Sequence, residues 1–349
     1  MVTALTEDFG LRVSRRLCGL IVLAATPAFL ACGSSHDELF STGGGAGTPG
    51  TGGSAGVGGG AGGTGGNGGS LATGGAGGSV AGSGGTGGSA TTGCDFRGTW
   101  GVYVTIPMTW AGTAVLNAGN GTLQVWLLTK RTIEGSTGND IGQLCGIQLP
   151  PFQTILGQTG VRFLAEAFDF MPQFMIVSHL EGNDSGGTFT TEPSPIIFGV
   201  TLNNPLTDPW PATIQTLVGA DDDQDGRPGV TTPVEVGAGY TLPPVSLLGP
   251  NATHLFVASR TVSTLAGTTV NCDQIEGHVE IGTVGGAPAL NSHIVGCIIE
   301  GGAVCNSTQA DFVDTNGPRF MPAAGTTMVM RRMANDATCA HVRGLFLGQ

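Results

Sequence analysis

The sequence predicts an all-β domain, an antiparallel β-barrel or sandwich, preceded by an export signal peptide and a disordered Gly-rich linker. Three observations predict it. Apolar residues alternate with polar or small ones over short runs, clusters of Gly, Pro and Asn separate those runs, and Thr and Val are plentiful while Lys130 is the single lysine.

Glycine draws the boundaries. Of the 63 glycines in 349 residues, 27 fall within residues 43–93, interleaved with Ser, Thr and Ala. No strict third-residue period runs through them, which excludes a collagen. From Leu39 to Cys94 there is no charged residue and no aromatic beyond Phe40, so ordering this stretch would cost backbone entropy with no core to offset it. A coil of about 51 such residues has an r.m.s. span of roughly 40 Å. The chain therefore divides into a signal peptide (1–31), a tether (32–93) and a β-rich region (94–349).

Arg12, Arg15 and Arg16 precede an uncharged run over 17–31 that is too short to span a bilayer comfortably. The run ends Ala28-Phe29-Leu30-Ala31-Cys32-Gly33, which resembles the lipobox of bacterial lipoproteins. That resemblance implies that Cys32 becomes the lipidated first residue of the mature chain. Gly33, where Asp would retain the protein at the inner membrane, implies sorting to the outer membrane or cell surface. The partner implied is the membrane, through the lipid anchor. With 13 basic against 25 acidic residues, the formal charge of −12 excludes a nucleic-acid binder.

In the β-rich region, Trp100, Val102, Val104 and Ile106 alternate with Gly101, Tyr103 and Thr105, as a half-buried strand requires. Similar runs over 123–128, 255–262, 279–281, 294–299, 328–330 and 342–347 predict further strands. Asp208-Pro209 followed by an apolar-spaced stretch to Gly219 predicts a helix, with an N-cap, a proline in its first turn and a terminal glycine. The stretch 161–170 suits a helix and a strand equally. Gly98-Thr99-Trp100 resembles the Gly-x-Trp that opens lipocalin-like barrels, and this implies a barrel whose base the tryptophan closes around a small apolar ligand.

Six cysteines remain beyond the signal and the anchor: Cys94, Cys145, Cys272, Cys297, Cys305 and Cys339. An even count in an exported chain predicts three disulfides. A hairpin of 294–299 and 303–308 around Glu300-Gly301-Gly302 places Cys297 opposite Cys305. Cys94 and Cys339, near the two ends of the region, are candidates for a bridge closing a very long loop. Zinc on His293 and Cys297, or on Cys272 and His278, lacks the paired spacing of a structural site.

The motif that carries chemistry is Asp221-Asp222-Asp223-Gln224-Asp225-Gly226-Arg227. Carboxylates at Asp221, Asp223 and Asp225 can curl round one hard cation, Gly226 permits a sharp turn, and the Arg227 carbonyl adds an oxygen, so the pattern predicts a structural Ca²⁺. Thr232 stands where an EF-hand would place its bidentate Glu, and the loop resembles the short Asp-x-Asp-x-Asp-Gly loops of extracellular calcium proteins. Asp222 is expected to point away and be solvated.

Asp184-Ser185-Gly186-Gly187 copies the nucleophile motif of trypsin-like proteases, but His179 is the one histidine between Cys94 and Ser185 and the family's histidine segment is missing, so a hairpin turn is the better reading. Glu166 and Asp169 read as a solvated face. No nucleophile, base and orienter agree. The expectation is a cell-envelope lipoprotein displaying a non-enzymatic binding module for a small-molecule or surface partner, with a structural or adhesive surface protein and a secreted hydrolase as alternatives.

Overall fold

The structure, a computed structural model, describes residues 93–182, 185–237 and 239–347. The signal peptide, Cys32, nearly all of the tether and Asp184 lie outside the described residues.

Eight strands build the main body: β1 (Gly98–Trp110), β2 (Gly119–Glu134), β3 (Thr137–Gln148), β4 (Phe174–Glu181), β5 (Thr188–Thr191), β6 (Ala252–Asn271), β7 (Gln274–Ile281) and β8 (Thr327–Arg332). Each pairs antiparallel with the next, and β8 pairs back onto β1. The sheet is thus a closed up-and-down barrel with no free edge along this ring. The β2–β3 turn is two residues, and its first, Gly135, has φ +66°, which glycine adopts without strain.

The period-two pattern decides what faces inward. Trp100, Val102, Val104, Ile106 and Met108 from β1 meet Leu123 and Leu127 from β2, Leu265 from β6, Ile275 and Val279 from β7, and Met328 and Met330 from β8 in one core. β6 is 20 residues long because it serves two pairings. Its C-terminal part closes the barrel against β5 and β7, while its N-terminal part carries the strands Ser194–Phe198, Val230–Pro233 and Leu290–Ile299.

The predicted runs over 123–128, 255–262, 279–281, 294–299 and 328–330 all lie in strands. The run over 342–347 does not: it belongs to the helix α2 (Cys339–Phe346). Cys339, Val342 and Phe346 recur at helical spacing, pack with Trp126, Leu128 and Cys145 on the outer face of the barrel, and Thr338 and His341 close a capping box. The second half of the predicted 294–308 hairpin is also helical from Ser307 onward. Only Val304 bridges back, to Ile298, before Asn306 and Gln309 cap α1 (Ser307–Asn316).

The predicted helix over 208–219 is reduced to one 3-10 turn, Ile214–Thr216. Tertiary contacts override the local signal. Asp208 accepts the Asn204 N–H on its carboxylate (2.7 Å) and Arg260 Nη1 on its carbonyl (2.5 Å), and Trp210 stacks flat on His293, so the segment is held in irregular backbone against β6 and the strand Leu290–Ile299. The ambiguous stretch 161–170 splits, with bridges at Val161 and Arg162 and then a 3-10 turn Ala165–Asp169.

All six cysteines are paired. Cys297–Cys305 forms as the spacing predicts. Cys94 joins Cys272 and Cys145 joins Cys339, which corrects the Cys94–Cys339 expectation. Cys272 sits in the two-residue turn between β6 and β7, beside the start of β1, whereas Cys339 opens α2 and lands on the outer face of β3. These bonds remove the thiolates that either zinc arrangement needs.

Candidate functional site

The Asp-rich loop leads into the strand Val230–Pro233. Asp221, Asp223 and Asp225 each present a carboxylate oxygen within 4.8 Å of the others. The loop holds them there with its own backbone. Asp221 accepts from the N–H groups of Asp225 (3.0 Å) and Gly226 (2.9 Å), Asp223 Oδ2 from that of Thr231 (2.7 Å), and Asp225 from the Arg227 N–H (3.0 Å) and the Thr231 hydroxyl (2.6 Å). Gly226 takes φ +84° at the turn, and Gln224, at +58°, is the one non-glycine with positive φ among the described residues.

The donor set is oxygen only, which suits a hard cation. Asp223 Oδ1 is buried and has no hydrogen-bond partner, an orphan acceptor among three converging carboxylates. Burial raises the pKa of Asp223, and the Asp225 and Asp221 charges add to this. The residues therefore fit Ca²⁺, with two departures from expectation. Asp222 does point away from the cluster, but it is half-buried and accepts the Gly199 N–H (2.6 Å), and burial raises its pKa too, with the Asp221 charge adding. The Arg227 guanidinium lies over the Phe256 ring with Nη1 3.6 Å from Asp225 Oδ2, bringing a positive charge to the rim of the cluster. Thr232 is no ligand: it is buried and donates to the Leu255 carbonyl.

Inside the barrel the two ends differ. At one end Trp100 is fully buried, its Nε1 donating to the Phe96 carbonyl (3.0 Å). Arg131 and Asp140, a cross-strand pair of β2 and β3 with side chains 0 % and 1 % exposed, bond at 2.7 Å beside it. Arg131 and Arg332 lie 5.6 and 4.8 Å from the Trp100 ring.

Toward the other end is an apolar chamber of about 90 Å³, lined by Val104, Leu127, Leu144, Leu265 and Val279 with Ser259, Thr261 and Ser263 of β6. A second chamber of about 100 Å³ lies among Leu116, Phe152, Val161, Leu255 and Val313. Leu149, Val257, Ser292 and Phe320 line both and so form the partition.

His293 and Asp314 edge the region of the second chamber, 21 residues apart and invisible as a pair in the sequence. Asp314 accepts from His293 Nδ1 (3.0 Å), Arg319 Nη2 (2.8 Å) and the Ile294 N–H (2.9 Å). Burial pushes its pKa up, but these hydrogen bonds together outweigh burial and hold it below the ordinary value. The other imidazole nitrogen is committed to the Pro211 carbonyl at 2.8 Å. The pair therefore pins α1 and the 208–211 segment to the strand Leu290–Ile299 and leaves no ring nitrogen for proton transfer. Ser185 sits in the β4–β5 turn, and Glu166 and Asp169 are exposed on their 3-10 turn.

No known family, curated protein or solved structure matches this chain.

Proposed function

We propose that this chain is an exported lipoprotein, anchored at the bacterial outer membrane through Cys32, whose tethered barrel is a non-enzymatic binding module for a small apolar ligand and is braced by Ca²⁺ in the Asp221–Asp225 loop. The observation that carries the binding role is the apolar chamber inside a closed barrel, separated from its neighbour by only four side chains. An engineered apolar cavity of about 150 Å³ stays dry and takes benzene or xenon. At about 100 and 90 Å³ the two chambers are smaller than that cavity and suit a ligand on the scale of xenon.

Xenon titration followed by methyl NMR tests the reading. Shifts should concentrate on Leu127, Leu144, Val279 and Leu149, and an unperturbed chamber at saturating xenon pressure would overturn it. For the loop, millimolar Ca²⁺ should raise the melting temperature of the wild type and leave Asp223→Ala unmoved, with affinity in the range of about 10⁻⁴ to 10⁻³ M found for extracellular modules. A tenfold excess over Kd contributes about 1.4 kcal/mol, or roughly 3–6 °C for a domain of this size. Palmitate labelling that is equal in wild type and Cys32→Ala would remove the anchor.

A second reading, a structural or adhesive surface protein, draws on the exposed apolar residues Ile155, Leu156, Leu247 and Leu248 at loop tips. It predicts no ligand for either chamber.

A further inference from the structure

On the outside of the barrel, between α2, the Ala165–Asp169 turn and the loop around Tyr240, lies a cleft of about 370 Å³. This is within the range of small-molecule sites. Its walls are aromatic, with Trp126, Phe163 and Phe168, and its charged groups are Arg162, Arg343 and Glu235.

Three features point to an occupant, and beside them Trp126, 5 % exposed, packs into the wall with its Nε1–H unpartnered and closed off from the cleft. Both arginines line the cleft beside the end of β3: the Arg162 backbone pairs with Gln148 in a β-bridge, while the Arg343 stem lies 3.5 Å from where a Cβ on Gly146 would stand. Arg343 gives Nη1 to the Cys145 carbonyl (2.6 Å), which fixes the guanidinium and leaves Nη2 and Nε uncommitted. Among the described residues, neither Arg162 nor Glu235 is in an ion pair, so the cleft carries two positive charges against one negative in a folded region whose net charge is −11.

We propose that this cleft binds a small organic anion with a flat apolar body, such as an aromatic carboxylate or sulfonate. Guanidinium forks match a carboxylate in bidentate geometry, and the aromatic walls take the ring. The inference rests on the cleft alone, not on the barrel chambers, which have no arginine at the inner one.

The test uses 1-naphthoate, with neutral 1-naphthamide as its control, on the full folded domain. Affinity is read by calorimetry, and the site by the indole N–H resonance of Trp126, assigned with Trp126→Phe. Naphthoate should move that resonance and bind about tenfold more tightly than the amide, since hydrogen bonds to a charged group contribute more than neutral ones. Arg162→Gln, at an exposed position, should weaken it about threefold to fivefold, and Glu235→Gln should strengthen it by a similar factor. Arg343→Gln should weaken it further, but Arg343 also braces Cys145, so the exposed Arg162 variant carries the decision. Absence of naphthoate binding, equal binding of the amide, or an unchanged affinity in Arg162→Gln would each overturn the proposal. Xenon binding in the barrel is unaffected by any of these results, so this inference and the barrel reading fail separately.

Discussion

Trp100 and Val104 stand four residues apart on one strand and face the same interior, yet they belong to opposite regimes of packing. Around Trp100 the cross-section is filled by an indole, two arginines and a carboxylate. Around Val104 the partners are mostly aliphatic with Ser, Thr and the rings of Phe163, Phe198 and Phe320, and a void of about 90 Å³ is left between them. The wall also changes between the levels: Phe189 of β5 packs on Arg131 at the plug, whereas Ile196, Phe198 and Leu290 from outside the eight-strand ring line the chamber, so side-chain volume and the change of wall together make one end a plug and the other a chamber. The plug adds a second constraint, because a charge pair this deep is stable only while both partners are present.

The largest effect should come from breaking that pair. Asp140→Ala leaves the Arg131 guanidinium buried without its counter-charge and should cost about 3–5 kcal/mol in denaturant unfolding, with much of the loss recovered in the Arg131→Met, Asp140→Ala double variant. A next, smaller effect is expected at Gly138. A Cβ there would run into the Ser178 hydroxyl and come within 3.4 Å of the Arg131 side chain, so Gly138→Ala should cost about 1–3 kcal/mol by overpacking. The same kind of enlargement in the chamber should behave differently. Ser263→Val adds apolar volume where there is room, should change stability by less than about 1 kcal/mol, and should reduce xenon uptake. If both enlargements cost the same, the contrast between plug and chamber is wrong.

The smallest effect concerns pH and separates two carboxylate settings outside the barrel. Asp222 and Asp223 have raised pKa values, so the folded chain holds their protons more tightly than the unfolded chain does. Their contribution to stability is present at low pH and is lost as pH rises through the raised values. Asp314 has a lowered value, so its contribution is present above the ordinary carboxylate pKa and is lost as pH falls through the lowered one. Melting temperatures of Asp223→Asn and Asp314→Asn against pH should therefore lose opposite slopes relative to wild type. Added Ca²⁺ should flatten the first trend and leave the second.

Much of this was legible one residue at a time. Alternation along β1 announced its inward face. The eight-residue spacing of Cys297 and Cys305 announced their bond, and the Asp-x-Asp-x-Asp-Gly string announced a cluster that the loop brings within 4.8 Å. Two helices were written in the sequence but lay under a competing pattern: Asn306 with Gln309, and Thr338 with the 339, 342 and 346 spacing, are capping and helical-face signals inside short apolar runs that also pass for strands. The segment 208–219 shows the reverse case, where sound local helix signals lose to Arg260 and His293 reaching in from the sheet. The 178- and 194-residue disulfide pairings, the His293–Asp314 bond and the placing of Arg162 and Arg343 on one cleft have no local signature at all.

By itself, then, the sequence determined the all-β class, the strands over 100–106, 123–128, 255–262, 279–281, 294–299 and 328–330 with the apolar face of the first, and that a charge-free Gly-rich stretch precedes the β region, because these follow from periodicity and composition within a few residues. Only the tertiary structure decided that the strands close into a ring, which cysteines meet, and where the interior is full and where it is empty. Those depend on distances between residues far apart in the chain and on the summed volumes of side chains from several strands, quantities that no local window contains.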